Sequence, residues 1–327
     1  MNSRAVLFPV LALVLCALLV ASLLCGAVWL RPAQFFTADA SGEMARLILT
    51  QVRLPRMVLA LGVGATLGLS GAVLQGLTRN PLAEPGLLGV SSGAALGAVL
   101  AIYFGVAGHL AVALPLLGLC GALVAMTLTF TLGRGGGTLA LILAGAAVSA
   151  LMAALVSLAL NLAPNPYAAF ELTSWLMGSL DDRSWNQVWL AGPFMIVGCA
   201  LLAFTGRALD ALSLGEVQAE SLGVDLQQVR LLALTGTALA VGAATAVSGI
   251  ISFVGLVAPH LVRPFVGHQP GRLLWPSALS GAALMLLADV ATRVINLGPE
   301  LKLGVFTSLI GTPFFFWLVV RLRRNAP

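Results

Sequence analysis

The sequence predicts an all-α polytopic membrane protein of ten transmembrane helices, and three features carry that reading. Hydrophobic residues make up 59% and charged residues 9% of the 327 positions, where soluble domains carry about 25% charged residues. Mean hydropathy is +1.02. Uncharged runs of about 20 residues, enough to cross a ~30 Å hydrocarbon core as a helix, recur along the chain. They leave little room for a soluble domain, so 1–327 reads as a single transmembrane domain.

The first span, 5–30, follows Arg4 and is too long for the ~7–15-residue apolar core of a secretory signal. Leu24 before Cys25 is a poor cleavage or lipidation context. From 41 to 54, Met44, Leu47, Ile48 and Val52 recur at helical spacing, which predicts a short helix lying on the membrane surface. The second span, 54–77, carries only Arg56 near its start, and its glycines, Gly62 to Gly76, predict close helix packing. The third and fourth spans are 87–105 and 110–132, the latter ending in a Gly-rich hairpin turn from Gly133 to Gly137. The fifth, 138–162, has a face of small residues including Gly145, Ala146 and Ser149.

Residues 161–187 form a polar interruption in which Trp175 and Trp185 read as interfacial aromatics and 167–180 as a surface helix. After the sixth span, 188–206, residues 208–228 carry Asp210, Glu216, Glu220 and Asp225 yet keep helical Leu and Val spacing. Such an amphipathic segment needs a partner for its apolar side. The remaining spans are 229–250, a short 252–266 broken by Pro259 and Pro264, 273–296 and 303–320.

With both termini cytoplasmic, ten arginines lie inside and seven cations outside, a bias in the expected direction. Ser70-Gly71 in the second span is echoed by Ser248-Gly249 in the seventh, and SGAAL occurs at 92–96 and 280–284. Five spans separate the halves, so spans 2–5 and 7–10 read as an inverted repeat, a transporter architecture.

Several chemistries are excluded or disfavoured. The basic residues are scattered between spans rather than gathered on one face, which argues against nucleic acid. The only lysine, Lys302, lacks a preceding Gly and a following Ser or Thr, so there is no phosphate-binding P-loop. Cys16, Cys25, Cys120 and Cys199 lie inside apolar runs without metal spacing. Gly68-Leu69-Ser70-Gly71 matches a serine-protease pattern with His260 as a nominal base, but helix packing explains it better. His260 reads as a hydrogen-bonded kink residue, and His109 and His268 sit in turns. Asp289 is the one carboxylate within a span, a candidate proton relay, with Arg293 four residues later as its structural partner.

RLPR at 53–56, NPLAEPGLLG at 80–89, LGEVQAESLGV at 214–224, FVGLVAPHLVR at 253–263, LLADVATR at 286–293 and LGVFTSLIGTPFFFWLV from Leu303 together resemble the FecCD-type permeases of binding-protein-dependent ABC importers. The resemblance spans the whole chain. It implies a homodimer of ten-helix subunits in the bacterial inner membrane, embedded in lipid, with two cytoplasmic ATPase subunits and a periplasmic binding protein. ATP and magnesium would sit on the ATPases, and this chain would bind no cofactor and catalyse no reaction. Arg53, Arg56 and Arg293 match positions that pair with acidic residues of the binding protein. Leu214, Gly215, Glu216, Ala219, Glu220, Leu222 and Gly223 match the coupling helices that enter the ATPase cleft. Asn80 and Leu82, with Thr138 and Leu139, match the cytoplasmic gate.

The implied function is import of haem, a ferric siderophore or cobalamin by alternating access, with haem favoured because the spans offer few charges to neutralise a polyanionic chelate. The alternative reading is an ion-coupled secondary transporter using Asp289.

Overall fold

The computed structural model describes residues 3–26, 29, 31–37, 39–110, 112–295 and 301–324. The chain runs through α1 (Ser3–Leu24), α2 (Ala40–Leu47), α3 (Leu54–Thr78), α4 (Val90–Tyr103), α5 (Val106–His109), α6 (Ala113–Gly133), α7 (Gly137–Asn161), α8 (Pro166–Leu176), α9 (Trp185–Phe204), α10 (Gly206–Leu212), α11 (Glu216–Ser221), α12 (Leu226–Ser248), α13 (Val254–Val262), α14 (Pro270–Val294) and α15 (Leu303–Arg324). Among the described residues there is no strand. Residues 27, 28, 30 and 296, which the sequence assigns to the first and ninth spans, lie outside the described residues. So do the side chains of Arg4, His109, Arg323 and Arg324.

The ten expected spans fall on α1, α3, α4, α6, α7, α9, α12, α13, α14 and α15, of which eight are long and apolar enough to cross a membrane. The other two are short. With 14 and 9 residues, α4 and α13 reach only ~21 and ~14 Å. Each stands beside irregular backbone: a 3-10 turn, Pro85–Leu88, precedes α4, while α13 begins at Phe253 in a left-handed conformation (φ 69°). The surface helix expected in the polar interruption is α8, N-capped by Asn165, whose side chain accepts from Ala168 N at 2.9 Å.

One expectation needs correction. Residues 41–54 do not form a separate surface helix, because α2 continues through a π-helical stretch, Ile48–Arg53, into α3 as one 39-residue helix. Pro55 lacks an N–H, and its ring crowds the carbonyl four residues earlier. The widened π turn, closed by Leu54 N bonding to Leu49 O, accommodates it without ending the helix. At ~58 Å this helix exceeds the hydrocarbon core, so α2 projects beyond it.

The second and seventh spans are antiparallel, as an inverted repeat requires. Arg56 at the start of α3 meets Asp181, and Ser179, two residues earlier, donates its N–H to Ser248 O at the end of α12. Both halves run long, short, long, long. Their long helices exchange partners, α3 packing on α13 and α14 while α12 packs on α4 and α6. The SGAAL pair does not mark this symmetry. Its copies lie on α4 and α14, the second helix of one half and the third of the other.

The α3–α14 contact is the most extensive of these. Gly64 and Gly281 face each other so closely that a Cβ on either would overlap the other's carbonyl oxygen, and Gly68 meets Ser277 O in the same way. Without a strong hydrophobic drive inside lipid, such backbone approach is what holds helices together.

Candidate functional site

Two polar clusters lie at opposite ends of the bundle, with an uncharged cavity elsewhere along it. At one end, Asp289 is fully buried, with Arg56 Nε 2.7 Å from one carboxylate oxygen and Arg293 Nη2 2.5 Å from the other. Arg56 also pairs with Asp181, and Lys302 Nζ lies 3.9 Å from that carboxylate. Arg293 donates to Ser22 O at 3.0 Å and Ser22 Oγ at 2.8 Å, and Arg53 to Leu23 O at 2.5 Å, which ties in the end of α1. Burial raises the Asp181 carboxyl, but the charge of Arg56, the Ser179 hydroxyl and Lys302 outweigh it and hold it below its usual range.

The sequence places Arg53, Arg56 and Arg293 together, and the structure does so. Within the chain Arg53 is 5% exposed, and the guanidinium groups of Arg56 and Arg293 are turned inward onto carboxylates. The i,i+4 pairing of Asp289 with Arg293 is as the spacing suggests. Asp181 as a further member was not legible, nor was Arg56 as a second partner of Asp289, since each comes from a distant segment. Asp289 thus lies between two guanidinium groups, each paired with one of its carboxylate oxygens.

At the other end, Thr138 in the first turn of α7 donates to Glu216 Oε1 at 2.5 Å, and Arg230 Nη2 reaches the same oxygen at 3.1 Å. The Thr138 hydroxyl leads in holding the Glu216 carboxyl below its usual value, aided by Arg230 and Arg79 and opposed by partial burial. Arg79 ends α3 in a left-handed conformation (φ 49°), and Asn80 Oδ1 then accepts from Leu82 N at 2.9 Å. The 79–82 turn and the start of α7 thus lie at the same end. Leu139 is 69% exposed.

The 208–228 segment folds as two short helices. Asp210 anchors α10 to the start of α14 by accepting from Gly271 N at 2.7 Å and Gln269 Nε2 at 2.9 Å. Gly223 ends α11 with φ 84°, and Val224 N returns to Ala219 O, a Schellman closure that requires a left-handed residue. The seven sequence-predicted coupling residues then divide. Leu214, Glu220, Leu222 and Gly223 are exposed, Gly215 and Glu216 are half-buried, and Ala219 is buried. Val217, absent from the family-matched set, joins the exposed side chains; its position between Glu216 and Glu220 on a six-residue helix was the available signal.

A cavity of about 520 Å³ is walled by Met177, Ile250, Ser252, Ser308, Leu309 and Thr312 among others, with no charged residue in its lining. Ser70 is fully buried and its Oγ has no hydrogen-bond partner, while His260 Nδ1 is bonded to Leu256 O at 2.9 Å, so no Ser–His pair exists. No group of three or more His, Cys, Asp or Glu able to hold a metal occurs among the described residues.

This arrangement is similar to known permeases. The hemin transport system permease protein HmuU of Yersinia pestis is 42% identical, covering 84% of this chain and 83% of that protein. The Fe(3+) dicitrate transport system permease protein FecD of Escherichia coli strain K12 is 38% identical over 99% and 100% of the two chains. The vitamin B12 import system permease protein BtuC of Klebsiella pneumoniae is 38% identical over 98% and 95%. A solved structure described as an inward-facing conformation of a metal-chelate type ABC transporter superposes with a TM-score of 0.87 at 35% identity, over 97% and 99%. With the FecCD transport family matching residues 13–321, the chain belongs to that family and is a permease subunit of an ABC importer, whose ATP is hydrolysed by separate subunits.

Proposed function

We propose that two copies of this chain form the translocation unit of a bacterial inner-membrane importer, with two cytoplasmic ATPase subunits below and a periplasmic binding protein above. Its substrate is a metal chelate, haem first, with a ferric siderophore and cobalamin after it. The observation that carries this reading is the uncharged 520 Å³ cavity along α15, whose walls lack the cations that would grip a polyanionic chelate. The relation to a hemin permease at 42% identity favours the same substrate. Selection then rests with the binding protein, and the permease supplies a path that holds nothing tightly.

In this reading the exposed side chains of the 214–223 segment enter the ATPase cleft, and Asn80, Leu82, Thr138 and Leu139 border the cytoplasmic mouth. Arg53, Arg56 and Arg293 receive the acidic lobes of the binding protein. Because each is already engaged within the chain, docking exchanges an internal partner for an external carboxylate.

The test is reconstitution of the permease with its ATPase in liposomes, measuring ATP hydrolysis with and without binding protein and uptake of haem, a ferric siderophore and cobalamin. The expected result is stimulated hydrolysis and haem accumulation. Absence of stimulation, or unchanged coupling in Glu220→Ala, speaks against the reading.

A further inference from the structure

A recess of about 490 Å³ separates the turn before α7 from the coupling segment, lined by Gly133, Arg134, Gly137, Glu216, Glu220 and Arg230 among others. One polar link crosses it. Among the described residues, the Thr138–Glu216 hydrogen bond is the only hydrogen bond or ion pair between α7 and the 206–230 segment. The turn feeding α7 offers little other anchorage, since Gly135 sits in open space in a left-handed conformation (φ 81°). Glu216 is the first residue of α11, so it moves with that helix, and Arg230 from α12 braces the same carboxylate oxygen.

We propose that Glu216 is a positioning residue that tethers the coupling helix α11 to the first turn of α7, so that displacement of α11 by the ATPase reaches the cytoplasmic mouth through Thr138. The inference rests on the permease reading above. It also gives two neighbouring residues different roles. Thr138 holds the tether, and Leu139, 69% exposed, is the side chain that the tether swings into or out of the path. A charge-assisted hydrogen bond suits this role, being stronger than a neutral one and directional. The element that carries the linkage here is a single carboxylate shared by α11 and the first turn of α7.

The test uses the complete transporter in liposomes, with ATP hydrolysis read with and without the binding protein and haem uptake read per ATP hydrolysed. The stimulation factor requires no knowledge of the substrate. Thr138→Val removes the hydroxyl at nearly constant volume and is expected to lower the stimulation factor and uptake per ATP about fivefold. Thr138→Ser keeps the hydroxyl and restores both. Thr138→Val added to Glu216→Ala produces no loss beyond Glu216→Ala alone, because both break the same link. Additive losses, equal behaviour of the Ser and Val variants, or an unchanged stimulation factor in Thr138→Val overturn the tether while leaving the permease reading intact. If the unsubstituted assembly shows no stimulation, the permease reading fails, and the tether falls with it.

Discussion

Arg56 and Asp289 are 233 positions apart in sequence, yet the Arg56 Nε lies 2.7 Å from a carboxylate oxygen of Asp289. That contact joins the start of α3 to the end of α14 at the end of their glycine-lined interface. Because Arg293 takes the other oxygen, removing Asp289 strips Arg293 of its carboxylate and leaves Arg56 with Asp181 alone, both largely out of water. Breaking a buried pair in this way costs about 3–5 kcal/mol. Asp289→Asn is therefore expected to lower the thermal unfolding temperature markedly in detergent. A variant with wild-type stability shows that water already solvates the cluster.

The pH behaviour of the same cluster follows from Asp181. Its folded carboxyl titrates below the ordinary value of 3.8, so its contribution is present above the unfolded pKa and lost as pH falls through the folded one. The difference in unfolding temperature between wild type and Asp181→Asn is expected to hold steady from about pH 8 to about pH 5. It then shrinks only in stronger acid.

At the helix interface, Gly281→Val forces a side chain against Gly64 O, where the structure has no room for one. Overpacking of this kind costs about 1–3 kcal/mol, and the backbone cannot yield without separating α3 from α14. Reduced yield and a lower unfolding temperature are expected. Gly192→Ala, at a position with nothing within 4 Å, is the control expected to change neither.

On the 214–223 segment proposed to meet the ATPase, Val217 and Leu222 are 71% and 65% exposed and pack on nothing in this chain that buries them. Replacing both by Ser leaves the fold within about 0.5 kcal/mol, as surface changes do. It weakens co-purification of the ATPase about tenfold or more, as loss of an apolar anchor does. Unchanged ATPase binding relocates the contact elsewhere.

Helix existence was legible because crossing lipid obliges a long uncharged run, and each such run became a helix. One exception arises because periodicity reports a helix's face but not its continuity. Residues 41–54 have the pattern of a surface helix, and only the π turn before Pro55 shows that they continue into α3. A second exception, the SGAAL repeat, reflects a Gly/Ala-rich composition rather than equivalent positions. In the Arg56 cluster, the local Asp289–Arg293 spacing was readable from i,i+4 geometry. Arg56 and Asp181 were not, since nothing within either segment encodes the other.

The sequence by itself determined the membrane class, the order of the spans and the family motifs, because each is a local matter of hydropathy and residue identity. Only the tertiary structure decided which charges meet. It turned the three arginines inward onto Asp289, Asp181 and the end of α1, and it gave Glu216 a partner in Thr138, 78 residues away. The physical reason is that a buried charge takes whatever counter-charge folding brings within reach, and that choice is made between segments, not along them.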